Sequence, residues 1–564
     1  MLDTEVLQAN ANVTTLLDPH IKIQPDHAAF RELKTGKAEN IEETSYLELG
    51  REVERKVMAL ENLGVRTGDR VLILVPISTA LYSTLLAILR TGAVALFIDP
   101  SMKKSTMHRL IKSADLKAVV ATTIPAALIS LFPSIGDLEV KILEDGYLPS
   151  WKSFKNSPGR EVLSEARKVP EDHPALITFT SGTSGSPKEI VRSHRFLRTQ
   201  LNVLKRELQM KKETVELTAL PMFVLANLAH GATTVISSTD LSKPGKAEVG
   251  RIAEELIKTG ATSLLGSPAL VERLVEHCHK KSVEIPGIRT IFTGGGCVDH
   301  KLMEKAKVCL PGARLTIVYG SSEVEPISHQ NFSDTSPRDN KLTEDGAGHL
   351  VGYPLKDLVI KILHDDSHKL MNRQEMRIAS LHNMDRVICG EIVVSGDHVV
   401  SARDPDQKRS LRMAGRTFHR TGDYGYLDSL GRLWITGLAQ KNDPDLRFSF
   451  ALEERIKTHL ERATGKRPDR IACPGAPGDK TILYLESEYG KKVTEAYLNL
   501  PYITETKLVS KIPVDPRHNT KILYGELSGL GRSLLGRFVE LRDQRFIFRL
   551  FESINLRSRN AHGS

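Results

Sequence analysis

The chain predicts an α/β fold: a large N-terminal domain of stacked, largely parallel sheets, followed by a small C-terminal unit. Three observations carry that expectation. Short apolar strand signals alternate with helical ones through most of the chain. At 564 residues the chain exceeds what one hydrophobic core organises. Beyond Gly390 the signal turns to β-type runs, and the polar stretch Ala439 to Asp445 then reads as a hinge.

The elements follow in order. VLILV from Val71 leads into a helical run through Leu89, the strand AVALFID from Ala93, a helix from Ser105 and AVVAT from Ala118. Val71 to Leu89 is uncharged and nearly long enough for a membrane span, but Pro76 divides it into a strand and a Ser/Thr-bearing helix, so a βαβ unit accounts for it. The rhythm returns with Ala232 to Ser237, a helix Lys246 to Lys258, SLLG at Ser263, a helix Ala269 to His279 and TIF at Thr290. EIVVSG after Gly390 and GYLDSLGRLWITG, turning at Ser429 to Gly431, predict strands and an antiparallel hairpin. The domain boundary is expected after Gly437, giving residues 1–437 and 438–564.

Composition narrows the class. Hydrophobic residues at 40% and charged ones at 26% are ordinary for a soluble globular protein. The net charge of +9 is dilute, and the Arg-rich tail from Arg532 to Arg559 reads as a solvated basic face. Aromatics at 5%, without basic interleaving, argue against nucleic acid. Five dispersed cysteines (Cys278, Cys297, Cys309, Cys389, Cys473) form no CxxC pair, which excludes a disulfide framework and a structural zinc site and points to a reducing, cytoplasmic setting. His277, Cys278 and His279 face different directions on a helix and are read as part of a surface helix. Met1 to Val13 lacks the features of a signal peptide, and no transmembrane segment is expected.

The sharpest motif is FTSGTSGSPKE, Phe179 to Glu189. Gly182 and Gly185 let the backbone approach an anion, Thr180, Ser181, Thr183 and Ser184 offer hydroxyls, and Lys188 brings a point charge, so the loop is suited to a polyphosphate. Pro187 and Glu189 flank that lysine, which excludes a Walker loop. A buried strand, HPALITF from His173, runs straight into it.

Three further motifs fit an ATP site. In VYGSSE (Val318 to Glu323) Tyr319 offers a ring for a base, Gly320, Ser321 and Ser322 a close-approach turn, and Glu323 a carboxylate for Mg²⁺. RTGDYGYL places Asp423 after a glycine, in an expected tight turn, where it can accept both ribose hydroxyls. FTGGG ends a strand with Gly294, Gly295 and Gly296, suited to a flat ring against the backbone.

In this order the motifs resemble the adenylate-forming superfamily of acyl-CoA synthetases, nonribosomal adenylation domains and luciferases, over essentially the whole chain. The resemblance implies a distorted β-barrel beside the stacked sheets and a mobile α+β C-terminal lid. It also implies ATP and Mg²⁺ as cofactors, and formation of an acyl-adenylate with release of pyrophosphate. Within the superfamily, LYSTLLAILRTGAVALFIDPSM, LPMFVLANLAHGATTVIS, LLGSPAL and PVDPRHNTKI are most similar to the olefin β-lactone synthetases. PVDPRHNTKI (Pro513 to Ile522) resembles the C-terminal lysine motif, with Arg517, His518 and Asn519 leading to Lys521. That likeness implies a 2-alkyl-3-hydroxy fatty acid as substrate, closed by its own hydroxyl, and thiolase, reductase and α/β-hydrolase partner enzymes. Catalytic roles are thereby expected at Lys521, Glu323, Lys188 and His518, with His194 a second candidate base. Val224 stands where fatty acyl-CoA synthetases usually carry a gating histidine.

Two departures bear on this. Leu438 occupies the position of the family's ribose-assisting arginine, and Glu189 that of a glycine. An acyl-CoA or acyl-carrier ligase and a noncatalytic nucleotide-binding subunit are the rival readings.

Overall fold

The computed structural model describes residues 10–34, 40–99, 102–130, 132–156, 163–181, 187–241, 243–363, 370–371, 389–400, 410–439, 444–474, 481–486, 503–515 and 521–527. The chain divides into two compact units. The first comprises Met1–Asp334, Pro354–Ile360 and Val394–Arg420; the second comprises Thr335–Tyr353, Lys361–Val393 and Thr421–Ser564. Gly437 and Leu438 both fall within the second unit.

The first unit is built on two large sheets. One has seven strands in the order Lys152–Ser153, Val140–Leu143, Leu116–Ala121, Arg70–Leu74, Val94–Phe97, Pro174–Ser181 and Pro187–Ser193. All but the last pair are parallel. Parallel strands covered on both faces must be apolar throughout, which is why VLIL and AVVA read as unbroken hydrophobic runs with Val71, Leu72 and Ala118 to Ala121 wholly buried or nearly so. The helix after Pro76 runs Thr79–Arg90, started by Ser78, whose hydroxyl accepts from the Leu81 amide.

In the other sheet the first unit contributes Asn40–Ser45, Ala28–Lys34, Thr233–Ile236, Val215–Thr218, Ser263–Gly266, Thr290–Gly294, Arg314–Ser321 and Val324–Asn331. Only the pairs at the two ends of this run are antiparallel. The predicted helix Lys246 to Lys258 begins at Val249, because Pro244–Lys246 forms a separate 3₁₀ turn. Helix Pro268–Lys281 carries the His277, Cys278, His279 run with Cys278 turned into the core. No disulfide joins any of the five cysteines.

In the second unit, Leu433–Leu438 pairs antiparallel with Asp423–Leu427 and with His349–Gly352. Asp428 closes the predicted hairpin turn: its carboxylate accepts the Leu430 and Arg432 amides, and Arg432 bridges it to Asp339. A three-stranded sheet of Ile471–Ala472, Thr481–Glu486 and Ile503–Val509 packs with helix Ser449–Thr464, so this portion is α+β. The described strands form open paths, and no barrel closes among them. No helix among the described residues is long and apolar enough to cross a membrane.

Candidate active site

Strand Pro174–Ser181 lies parallel to Val94–Phe97 and returns as Pro187–Ser193, pairing Phe179 with Glu189, Thr180 with Lys188 and Ser181 with Pro187. The backbone therefore delivers Thr180, Ser181 and Lys188 to the mouth of the loop that the sequence singled out. Gly182, Thr183, Ser184 and Gly185 lie outside the described residues.

Thr290–Gly294 and Arg314–Ser321 are neighbouring parallel strands with Gly294 opposite Val318, so FTGGG and VYGSSE leave one edge side by side. The glycines have packing reasons. A Cβ on Gly294 would lie 2.1 Å from the Val318 carbonyl oxygen, and one on Gly320 would lie 2.9 Å from that of Val324. Gly295 takes φ +81°, open to glycine at no steric cost. Tyr319 sits within the strand opposite Ser328, and Ser322 and Glu323 form the hairpin turn closed by Ser321 opposite Val324. The Glu323 amide donates to the Ser321 hydroxyl at 3.3 Å, its carbonyl accepts from the Val400 amide at 2.8 Å, and the residue is only 8% exposed.

A residue not foreseen from the sequence joins these motifs. Arg192, 6% exposed on strand Pro187–Ser193, donates to the Ser322 carbonyl at 2.6 Å and to the Thr178 hydroxyl at 2.8 Å. The signal was present in the strand period: Ile190 and Arg192 share a face, Ile190 is buried, and a cation on a buried face next to a phosphate-type loop calls for a specific partner. Glu189 is half-exposed, and its carboxylate lies 3.9 Å from the Arg70 guanidinium. That cation offsets the charge the sequence had left unexplained.

His194 does not behave as an exposed base. It is wholly buried, its Nδ1 accepts the Val13 amide at 3.1 Å, and burial pushes its pKa down to about 3. It anchors the N-terminal segment as a neutral ring. Val224 is buried in helix Pro221–Ala229.

In the second unit, Asp423 departs from the expected tight turn: it lies within strand Arg416–Leu427, directly opposite Leu438. Gly422 takes φ +80° inside the strand, and the Asp423 amide donates to Thr421 Oγ1, which itself donates to the Ile392 carbonyl. Leu438 and Asp423 thus face each other across one antiparallel strand pair. Lys521 is exposed on a short antiparallel bridge, with Val514 opposite Ile522 and the Asp515 amide donating to the Lys521 carbonyl at 2.8 Å. His518 lies outside the described residues.

Residues 17–402 match the family model described as AMP-binding enzyme. The chain belongs to this family. Its chemical class is adenylate-forming acid ligase. It is 26% identical over 511 residues to the olefin beta-lactone synthetase of Xanthomonas campestris pv. campestris, covering 85% of this chain and 89% of that one. It is 24% identical over 460 residues to the indoleacetate–CoA ligase of Aromatoleum aromaticum, covering 80% and 82%. Among solved structures, ATP-bound MatB of Rhodopseudomonas palustris superposes with a TM-score of 0.73 at 19% identity, over 93% of this chain and all of that one, which establishes the shared fold. Hydroxyls at Thr180 and Ser181 and the Glu323 carboxylate are hard oxygen donors of the kind Mg²⁺ takes alongside phosphate oxygens, so the residues at these strand ends fit an ATP–Mg²⁺ pair.

Proposed function

We propose that this AMP-binding enzyme activates the carboxylate of a 2-alkyl-3-hydroxy fatty acid with ATP and closes the product to a β-lactone. The observation that carries this reading is the similarity to an olefin beta-lactone synthetase, which covers 85% of this chain and 89% of that one.

In the first step a carboxylate oxygen attacks the α-phosphorus of ATP, the bond to the β,γ-diphosphate breaks, and pyrophosphate leaves. Thr180, Ser181, Thr183, Ser184 and the backbone at Gly182 and Gly185 hold the phosphates with Lys188. Lys521 offsets the charge developing at the α-phosphate. Tyr319 and Gly294 to Gly296 seat the adenine, Gly320 to Ser322 shape the turn beneath it, and Asp423 accepts the ribose hydroxyls. Glu323 would hold Mg²⁺, which would supply charge neutralisation to the phosphates. Arg192 braces the Ser322 turn from behind.

In the second step the substrate's β-hydroxyl oxygen attacks the acyl carbon, the bond to AMP breaks, and the hydroxyl proton passes to a base, for which His518 is the candidate. Intramolecularity supplies an effective molarity of ~10⁵ M or more in a well-oriented substrate. Residues 438–564 act as the mobile lid that brings Lys521 to the nucleotide. With Leu438 in place of arginine, ribose binding rests on Asp423, at a cost of roughly 1.5–3 kcal/mol for the lost charge-assisted bond. Cysteines without disulfides suit the cytoplasm, and a thiolase, a reductase and an α/β-hydrolase would supply and consume the acid and the lactone.

Incubation of the protein with ATP, Mg²⁺ and a 2-alkyl-3-hydroxy fatty acid, with and without coenzyme A, is expected to yield AMP, pyrophosphate and a β-lactone in both samples. A thioester formed only with coenzyme A, and no lactone, would instead support the acyl-CoA ligase reading that the 24% relative favours.

A further inference from the structure

The lysine that the proposed mechanism needs is exposed, and its precision depends on what holds the bridge carrying it. Two carboxylates do so, one at each foot. Ahead of Pro513, the Ile512 amide donates to Glu486 Oε1 at 2.9 Å, and Arg470 stands 3.7 Å from that same carboxylate. Beyond Lys521, the Leu523 amide closes the bridge onto the Pro513 carbonyl at 3.0 Å, and Tyr524 turns inward to only 6% exposure. Its hydroxyl donates to Glu453 Oε1 at 2.5 Å, and that oxygen also accepts the Cys473 amide at 3.0 Å.

One carboxylate oxygen therefore ties together three pieces of the second unit: helix Ser449–Thr464, the start of the small sheet and the lysine-bearing bridge. Tyr524 is otherwise surrounded by Leu446, Ala472, Tyr484, Val509, Ile512 and Leu527, an apolar setting in which phenylalanine would pack equally well. Burial of a carboxylate is costly and an apolar core has no need of it. What the Tyr524–Glu453 bond adds to that core is direction.

We propose that Tyr524 and Glu453 are positioning residues for Lys521, fixing one foot of the bridge through a buried hydrogen bond. The inference rests on Lys521 having the role assigned to it above. Glu453 is pushed up to about 7 by burial, opposed by the Tyr524 hydroxyl, the Cys473 amide and the Lys457 charge and reinforced by Glu454. The buried Cys473 thiol beside it stays protonated. The strength of the tether thus changes across neutral pH, with ionised Glu453 the better acceptor for both donors.

The test compares the full-length native protein with Tyr524→Phe, Glu453→Gln and Lys521→Ala. Pyrophosphate release is measured with ATP, Mg²⁺ and a 2-alkyl-3-hydroxy fatty acid from pH 6 to 8.5, together with the rate of trypsin cleavage after Lys521 and the melting temperature. Tyr524→Phe is expected to lower kcat about tenfold with little change in KM for ATP or in melting temperature, since a misplaced group of this kind costs rate more than binding. It is also expected to speed cleavage after Lys521 severalfold. Glu453→Gln should remove the rise in kcat through neutral pH. Native kcat and native cleavage rate in Tyr524→Phe, with kcat lost in Lys521→Ala, would overturn the positioning role alone. Native kcat in Lys521→Ala would overturn the role of Lys521 and this inference with it. The cleavage assay needs no substrate, so it decides the tether even if the acid supplied is not turned over.

Discussion

Among the described residues, each unit buries one carboxylate whose pKa is pushed up to about 7 by burial, and the two are held in opposite ways. Glu216 sits mid-strand in the parallel sheet of the first unit and accepts from Asn227 Nδ2 at 3.2 Å and Ser263 Oγ at 2.9 Å, both fixed on adjoining elements of that unit. Glu453 accepts from a helix-to-sheet contact and from the bridge that carries Lys521. The same desolvation therefore cements a rigid sheet in one place and orients an exposed lysine in the other. A raised pKa identifies a buried acid; only its partners say whether that acid is mortar or lever.

The largest effect expected comes from a buried charge that has a true counter-charge, the limit that neither glutamate reaches. Lys56 is wholly buried with Nζ 2.7 Å from Glu144 Oε1 and further bonds to Ser83, Thr84 and the Ala80 carbonyl. Lys56→Ala leaves that carboxylate without its cation and should cost about 3–5 kcal/mol in denaturant unfolding.

Next comes the titration of Glu216. Its folded pKa lies above the unfolded value, so its share of stability is complete below about pH 4.5 and is lost as pH rises through about 7. Glu216→Gln should narrow the stability gap between pH 5 and pH 8 by roughly 2–3 kcal/mol, as a shift of this size implies, while leaving the pH profile of kcat in place. If Glu216→Gln altered that profile as Glu453→Gln is expected to, the contrast between the two acids would fail.

Arg192→Ala removes two bonds from a buried guanidinium and should cost about 2 kcal/mol, with KM for ATP rising severalfold as the Ser322 turn loosens. The smallest effect belongs to the half-exposed pair Arg70–Glu189, where Arg70→Ala should change the melting midpoint by no more than about 1 kcal/mol equivalent.

Much of the fold was legible because parallel strands buried on both faces announce themselves as short apolar runs; VLIL, AVVA and SLLG all form strands close to where they were expected. The hairpin at Ser429 to Gly431 was legible from its turn residues, and Asp428 closes it. Asp423 was misplaced into a turn because a glycine in sequence reads as punctuation, whereas Gly422 takes its positive φ inside a strand. The triple glycine was legible as a close approach, though at Gly294 the approaching group is the neighbouring Val318 carbonyl. Arg192 escaped notice because a charged residue in a linear sequence looks solvated until a strand partner shows which face it shares. Glu453 and Tyr524 lie 71 positions apart, and no local pattern could pair them.

The central claim is that this chain activates a carboxylate as an acyl-adenylate and that the substrate's own hydroxyl expels AMP. Its most direct test uses a 2-alkyl-3-hydroxy fatty acid labelled with ¹⁸O at both carboxylate oxygens, with ATP, Mg²⁺ and no thiol, and mass spectrometry of every product. One label should appear in AMP and one in the β-lactone, with pyrophosphate unlabelled. Unlabelled AMP, or ADP with labelled inorganic phosphate, would contradict the account.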